Sequence, residues 1–565
     1  MILRDYQEQG RDAVIRAWEE SQCTLLVWPT GLGKTILFAS VIEAMQPGRF
    51  MVVAHREELI WQARDKIHRV TGLDVEIEMA DLRATEHGLF ERAPVIVATV
   101  QTLNTVTGMG KRLYKFRPED FTGLIIDEAH HSTAETYRFI IQYFCRNPKL
   151  RVLGVTATPD RTDEQALGQI FKTVADDYEI KDAIDNGWLV DIDQQFVRIK
   201  DLDFSTVRTT AGDLNGGELA RVMENERNLH GVVSSSLEII GERRAIGFTV
   251  SVNQAEQYCN IFNRHRPGKA AWVCGETARE ERRETLRRFA AGEIQMVWNC
   301  GVLTEGFDDP GVEVIIMARP TKSRSLYCQM VGRSTRPVPG LVDGICSPVD
   351  RVLAILNSRK PSCLVVDFVG NSGKHKLIYC ADILGGKMDD RVVEKALRQS
   401  METEGPVKVS KALEQAQAGL LKARAAEEAR RANLTAKADY SRRYVNPFSV
   451  LDITPVKDRG WDRGRTLSGK QRALLLRQGI NPDDMPYAQA RQIINTLFER
   501  WRGNLASVKQ VQILKKYSWI IGPGKLDWSR TTRDQASEYI DRIALRMNWK
   551  QRETKTPKPT DNVPF

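Results

Sequence analysis

An α/β fold of two tandem lobes, each a parallel sheet flanked by helices, is what this sequence predicts. Short apolar runs alternate with helical stretches, the pattern of a parallel sheet covered on both faces. The alternation runs once up to about residue 185 and restarts near Asp191. Early in the first series, Pro29-Thr30-Gly31-Leu32-Gly33-Lys34-Thr35 joins an apolar strand to a helix, which is the arrangement of a phosphate-binding loop.

Taken in order, Leu3-Arg4-Asp5-Tyr6-Gln7 enters a helix that runs through Trp18. Strand candidates in the first lobe are Thr24–Val27, Phe50–Val53, Val95–Ala98, Leu124–Ile126 and Val152–Val155, with helices such as Glu57–Val70 between them. In the second lobe they are Ile192–Ile199, Ala245–Thr249, Ala271–Val273, Met296–Trp298, Val314–Met317 and Cys363–Asp367. Lys408–Ala438, rich in Ala, Glu, Lys and Arg, reads as an exposed connector helix. A repeat follows. Ser468-Gly469-Lys470-Gln471 returns as Ser507-Val508-Lys509-Gln510, and Gln489-Ala490 with Ile493-Ile494 returns as Gln535-Ala536 with Tyr539-Ile540. Each copy reads as helix, loop, helix, and two copies packed together make a small helical domain. The expected divisions are 1–185, 186–385, a connector over 386–455, a basic helical domain over 456–550, and a disordered tail over 551–565.

The charge is uneven. Residues 456–565 hold 22 Lys and Arg against 11 Asp and Glu, while the rest of the chain holds 60 against 62. All the excess positive charge therefore sits in the last fifth, which suits a polyanion. Five tryptophans, Trp461, Trp501, Trp519, Trp528 and Trp549, are interleaved with it. Cations among aromatics suit nucleic acid, through phosphate pairing and base stacking. A helical core built on the same tryptophans, docking a protein partner, is the competing reading. Nine scattered cysteines without a Cys-x-x-Cys argue for free thiols and against a zinc ribbon. The opening residues lack an apolar signal core, and no stretch is apolar enough to span a bilayer. A cytoplasmic protein without membrane or zinc partners is expected.

The chemistry-bearing residues follow from the loop. Gly31 and Gly33 let backbone N–H groups curl around phosphates, and the helix N-terminus adds positive dipole. Lys34 reaches the outer phosphates and the Thr35 hydroxyl is placed to ligate Mg²⁺. Trp28 stands where the loop pattern has a small residue. Leu124-Ile125-Ile126-Asp127-Glu128-Ala129-His130 is an apolar strand ending in two carboxylates. Asp127 is placed for Mg²⁺, and Glu128 to orient and deprotonate an attacking water. Arg333 and Arg336, three apart, share a helix face and can stabilise charge on phosphoryl oxygens.

The loop together with Asp127-Glu128-Ala129-His130 resembles the superfamily 2 helicases of the DEAH-box-like kind. Over about residues 1–385 the other motifs of that family stand in order, and the resemblance implies two RecA-like lobes with ATP and Mg²⁺ between them. It implies that Arg4 and Gln7, with Tyr6, read adenine; that Thr30, Gly306 and Asp308 join Gly31, Gly33, Lys34 and Thr35 around the nucleotide; and that Gln329, Arg333 and Arg336 act in catalysis. Arg56, Thr99, Gln101, Thr249 and Thr304 are the implied nucleic-acid contacts. His130, Thr156 and Thr158 are the implied coupling residues. Leu303–Asp308, Tyr327–Arg333 and Val365–Asn371 look most like RadD-like repair helicases, and the first two also like the motor subunits of type I restriction enzymes. RadD-like proteins carry a cysteine-rich zinc region after the core, which the basic repeat replaces here. The expected function is an ATP-driven motor on nucleic acid, most simply duplex or forked DNA. A duplex translocase, a nucleotide-gated remodelling module and an RNA helicase are the alternatives.

Overall fold

The computed structural model describes residues 3–84, 92–108, 110–157, 161–210, 212–304, 306–307, 309–435, 446–457, 459–462, 464–518, 527 and 530–546. The first sheet comprises β1 (Cys23–Val27), β2 (Phe50–Ala54), β3 (Val75–Glu78), β4 (Val95–Thr99), β7 (Gly123–Asp127), β8 (Arg151–Thr156) and β9 (Thr173–Asp177), with β5 (Val106–Thr107) and β6 (Gly110–Lys111) as a side hairpin. Its order is β3-β4-β2-β7-β8-β1-β9, parallel throughout. The second sheet is built from β10 (Asp191–Asp203), β13 (Ala245–Thr249), β14 (Ala270–Val273), β15 (Met296–Asn299), β16 (Val314–Ala318), β17 (Ser362–Asn371) and β18 (Val407–Lys408), and β11 (Thr209–Thr210) and β12 (Asp213–Leu214) form a second small hairpin. Its order is β14-β15-β13-β16-β17-β10-β18, parallel except at the β10–β18 edge.

The central strands are the ones that read as unbroken apolar runs. All five residues of β2, β4, β7, β13 and β16 are buried, because helices cover both faces. Parallel order sends the carboxyl ends of β1, β7 and β8 to one edge of the first sheet, where the Gly-rich turn, Asp127 and Thr156 collect.

Two expectations need correction. The connector helix spans Val409–Thr435, but Val409, Ala412, Leu413 and Ala416 are buried in the main core. Their i, i+3, i+4, i+7 spacing is a core stripe, so the first compact unit extends to Leu420. That unit also takes in Arg459–Trp461. The Arg459 guanidinium is buried and donates to Glu164 at 2.8 Å and to Glu179, and Trp461 joins the first lobe's core against Gly168. A cut at residue 456 therefore removes part of the first lobe's core.

The second unit holds Leu421–Asp458 and the residues from Asp462 onward. Its helices are Gly469–Arg477, Tyr487–Arg502, Val508–Lys516 and Arg533–Arg546. The repeat is structural. Ser468 with Gln471 and Ser507 with Gln510 form the same reciprocal cap at the two helix starts. Ala490, Ile493, Ile494 and Leu497 face one core, and Ala536, Tyr539, Ile540 and Ile543 face the other. Trp519, Trp528, Trp549 and the tail over 551–565 lie outside the described residues.

Candidate active site

The Gly-rich loop follows directly from β1. Trp28 N–H donates to the Thr156 carbonyl at 2.9 Å, continuing the strand ladder by one residue. The Trp28 ring is fully buried, and its indole N–H donates to Asp176 at 2.7 Å. The off-pattern residue has a packing reason: the ring lies over Gly10, where a Cβ would sit 2.4 Å from it. Gly31 (φ 100°) and Gly33 (φ 75°) take the left-handed conformation that only glycine adopts without strain. The Lys34–Ala44 helix opens there, and the Lys34 ammonium donates back to the Trp28 carbonyl at 3.3 Å. Tyr6 and Gln7 both donate to the Leu32 carbonyl, at 2.9 and 3.2 Å, and so pin the first helix to the loop. Arg4 turns the other way, onto Asp343 of the second lobe at 2.7 Å.

β7 ends at Asp127, which is buried and accepts from the Glu128 N–H at 3.0 Å. Glu128 is left-handed (φ 49°), a conformation uncommon for a non-glycine residue. Its Oε2 is buried without a hydrogen-bond partner, 3.5 Å from His130 Nδ1. His130 Nδ1 also lies 3.1 Å from the Thr156 hydroxyl at the end of β8. The rings of His130, His131 and His55 touch in sequence, the first pair tilted and the second edge-on, with centroids 4.1 and 4.5 Å apart. His131 was not singled out in the sequence. Its doubled position after His130 was the available signal.

The second lobe meets the loop through the segment after the Arg324–Val331 helix. A Cβ on Gly332 would stand 2.5 Å from the Thr30 Cβ, and one on Gly31 would stand 3.5 Å from the Arg336 Cγ and the Thr335 hydroxyl. Burial pushes the Arg336 guanidinium down to about 10. Lys66, on the Glu57–Thr71 helix, feels the same crowding: burial first, then the charge of Arg336, pushes it down to about 8, with Asp127 opposing. Arg333 is buried and donates to the carbonyls of Thr304 and Phe307, so it braces its own lobe's loop. Gln329 is buried one turn earlier.

Desolvated cations, a curled backbone and an orphaned carboxylate oxygen fit a nucleoside triphosphate with its cation. A Cβ at Gly31 would meet Leu189 at 3.1 Å, and one at Gly33 would meet Gln7 at 2.9 Å. That is a cradle in which side chains have no room and backbone N–H groups do. Thr35 and Asp127 are the oxygen donors on the first-lobe side that suit Mg²⁺.

The other sequence candidates divide. Arg56 stands at the N-terminal boundary of the Glu57–Thr71 helix and donates to the Gly301 carbonyl at 3.0 Å; Gln101 is exposed and donates to the His55 carbonyl at 3.1 Å. These two keep polar groups near one surface. Thr99, Thr249 and Thr304 are buried. The Thr99 hydroxyl caps the next helix, and the Thr249 hydroxyl donates to the Ser251 and Asn299 carbonyls. The Thr304 carbonyl accepts from Arg333. Gly306 faces the Glu57–Thr71 helix, accepting from Gln62, and is not brought to the Gly-rich loop by any described contact. Thr158 and Asp308 lie outside the described residues. A seam of ion pairs, Arg282–Glu58 at 2.5 Å and Arg279–Glu57 at 3.2 Å, also joins the lobes. Its partly exposed partners make it weak and reversible.

Residues 1–161 match the family described as type III restriction enzyme, res subunit, and residues 231–338 match the helicase conserved C-terminal domain. A Saccharomyces cerevisiae protein provisionally named ATP-dependent helicase IRC3 is 30% identical over 406 residues, covering 69% of this chain and 54% of the yeast protein. A Schizosaccharomyces pombe protein provisionally named mitochondrial ATP-dependent helicase irc3 is 29% identical, covering 69% of this chain and 61% of its own length. The chain thus spans a little over half the length of these curated relatives. A fragment structure provisionally assigned as the HsdR subunit of a type I restriction enzyme from Vibrio vulnificus superposes with a TM-score of 0.47 at 19% identity, over 66% of this chain and 65% of that one.

Proposed function

We propose that this chain, a superfamily 2 helicase by its two matched domains and its fold, hydrolyses ATP and uses the cycle to move on or open nucleic acid, most simply DNA. The observation that carries the proposal is Arg336 of one lobe packed against Gly31 of the other. Each lobe alone holds half a site. Lobe one supplies the phosphate cradle, Lys34, the cation donors Thr35 and Asp127, and Glu128, whose unpartnered oxygen is free to orient a water and take its proton. Lobe two supplies Arg336, a fixed charge whose desolvation is relieved by phosphoryl oxygens. Mg²⁺, held from Thr35 and Asp127, would neutralise the outer phosphates.

Hydrolysis then depends on the lobes meeting, and separation follows when Arg336 loses its anion. The His130–Thr156 contact and the row of touching rings His130, His131 and His55 connect the carboxylate end of β7 to β8 and to the segment bearing Arg56. That path lets a strand resting near Arg56 and Gln101 bias the site. The two yeast relatives carry the name ATP-dependent helicase, which supports the same reading. No described helix is long and apolar enough to cross a membrane.

ATPase turnover with single-stranded DNA, duplex DNA, forked DNA and RNA tests the proposal. Stimulation by one or more nucleic acids is expected, and equal turnover with and without all four would overturn it. Strand displacement on a fork against triplex displacement then separates unwinding from translocation on intact duplex.

A further inference from the structure

The Tyr487–Arg502 helix carries its four core residues on one side and an unusual set on another. Arg491, Asn495, Phe498 and Arg502 recur at i, i+4, i+7 and i+11, so they share one face, and all four are exposed. Trp501 stands beside Phe498, one turn on. The two rings lie 5.3 Å apart at 90°, and they remain 42% and 39% exposed. An edge-on aromatic pair with this much surface open to water is an exposed apolar patch rather than part of the core.

The repeat supplies an internal control. In the second copy the helix Arg533–Arg546 does the same structural work, with Ala536, Tyr539, Ile540 and Ile543 in the core slots. At the positions matching Arg491, Asn495 and Phe498 it has Ser537, Asp541 and Ala544. The fold therefore does not require the aromatic and cationic face. It is particular to the first copy, in the region that holds 22 Lys and Arg against 11 Asp and Glu.

We infer that the Arg491, Asn495, Phe498, Trp501 and Arg502 face is a stacking platform for single-stranded nucleic acid, an inference that rests on the chain being a nucleic-acid motor. The chemistry selects the partner. Open ring faces accept base faces, which a duplex hides within its stack and a single strand exposes. The flanking guanidiniums pair with backbone phosphates on either side without reading sequence. Charge complementarity in a region of strong positive excess points the same way.

The test uses the full chain and three labelled probes: an oligothymidylate, an abasic strand of equal length and a blunt duplex. Phe498→Ala/Trp501→Ala is expected to weaken the oligothymidylate about ten-fold, to leave the abasic strand and the duplex unchanged, and to keep the salt slope. Arg491→Gln/Arg502→Gln is expected to weaken all three and to flatten the slope. Circular dichroism and ATPase without nucleic acid should be those of the wild type. Equal loss on all three probes in the aromatic variant, or no loss on any, overturns the platform and leaves the face to a protein partner. Wild-type protein that binds and is stimulated while the aromatic variant behaves identically defeats this inference alone. Wild-type protein that binds none of the probes defeats the motor reading with it.

Discussion

His130 Nδ1 lies 3.1 Å from the Thr156 hydroxyl, joining the end of β7 to the end of β8. The same nitrogen is 3.5 Å from the orphaned oxygen of Glu128. One imidazole thus stands between the carboxylate placed to activate water and the end of β8. Thr156→Val keeps the shape and removes the hydroxyl. Nucleic-acid-stimulated ATPase is expected to fall about five-fold, consistent with one lost hydrogen bond of about 1 kcal/mol, while ATP affinity stays within a few-fold. An unchanged stimulated rate would show that the contact couples nothing.

Lys34→Ala and Glu128→Gln are expected to differ in kind. Lys34 sits at the mouth of the phosphate cradle, so its loss weakens both nucleotide binding and turnover. Glu128→Gln preserves volume and removes the base, so nucleotide still binds and hydrolysis falls by about a hundred-fold or more. Fluorescent-nucleotide titration beside single-turnover hydrolysis checks this. Near-normal turnover in Glu128→Gln would remove Glu128 from the role of base.

Arg459 is a stability prediction. Its guanidinium is buried against Glu164 and Glu179, both of them buried too. Arg459→Met takes the buried cation from both carboxylates, leaving Glu164 only the Gly460 N–H and Glu179 only Lys387 at 3.9 Å, and is expected to cost about 3 kcal/mol, read as an earlier denaturant midpoint. Glu164→Gln added to Arg459→Met should recover part of that loss. A midpoint unchanged in Arg459→Met would mean that the 459–461 segment is not held in the core.

Asp367 sets a pH dependence. It is fully buried between β10 and the Arg324–Val331 helix, accepting from Gln194 at 2.7 Å and from the Tyr327 hydroxyl at 2.8 Å, with the Cys380 thiol 3.4 Å from that hydroxyl. Burial raises the carboxyl to about 7, against the two donors. The folded protein then binds a proton that the unfolded chain releases near pH 4, so stability falls as pH rises from about 4 through about 7. Asp367→Asn, which keeps the acceptor and cannot ionise, should show a shallower fall in thermal midpoint between pH 5 and 8, those pH values being roughly the span over which the linkage acts. Parallel curves for the two proteins would place the titration elsewhere.

Much of the architecture was legible because buried parallel strands are continuous apolar runs. Every central strand of both sheets was found in this way. The edge strands β3, β9 and β18 were not. Val75-Glu76-Ile77-Glu78 alternates, Thr173–Asp177 is half-buried and ends in two aspartates, and Val407-Lys408 is two residues long. The phosphate cradle and the carboxylate pair were legible because their chemistry fixes residue types at fixed spacing. Lys66 was not, since a lysine on an amphipathic helix gives no sign that it will be buried within reach of the charges of Arg333 and Arg336. Nor was the burial of Thr249 or the docking of Trp461, because both depend on long-range packing that local pattern does not encode.

The most direct measurement is multiple-turnover ATPase of wild type and Arg336→Ala, each with and without saturating single-stranded DNA. Arg336 reaches the Gly31 loop only from the other lobe, and a fixed arginine of this kind contributes about a thousand-fold to phosphoryl transfer. Wild-type turnover is expected to rise with DNA. In Arg336→Ala the DNA-stimulated rate should collapse toward the basal rate, with nucleotide affinity within a few-fold of wild type. Retained stimulation in Arg336→Ala, or an equal loss of basal and stimulated rates, would contradict hydrolysis gated by the meeting of the two lobes.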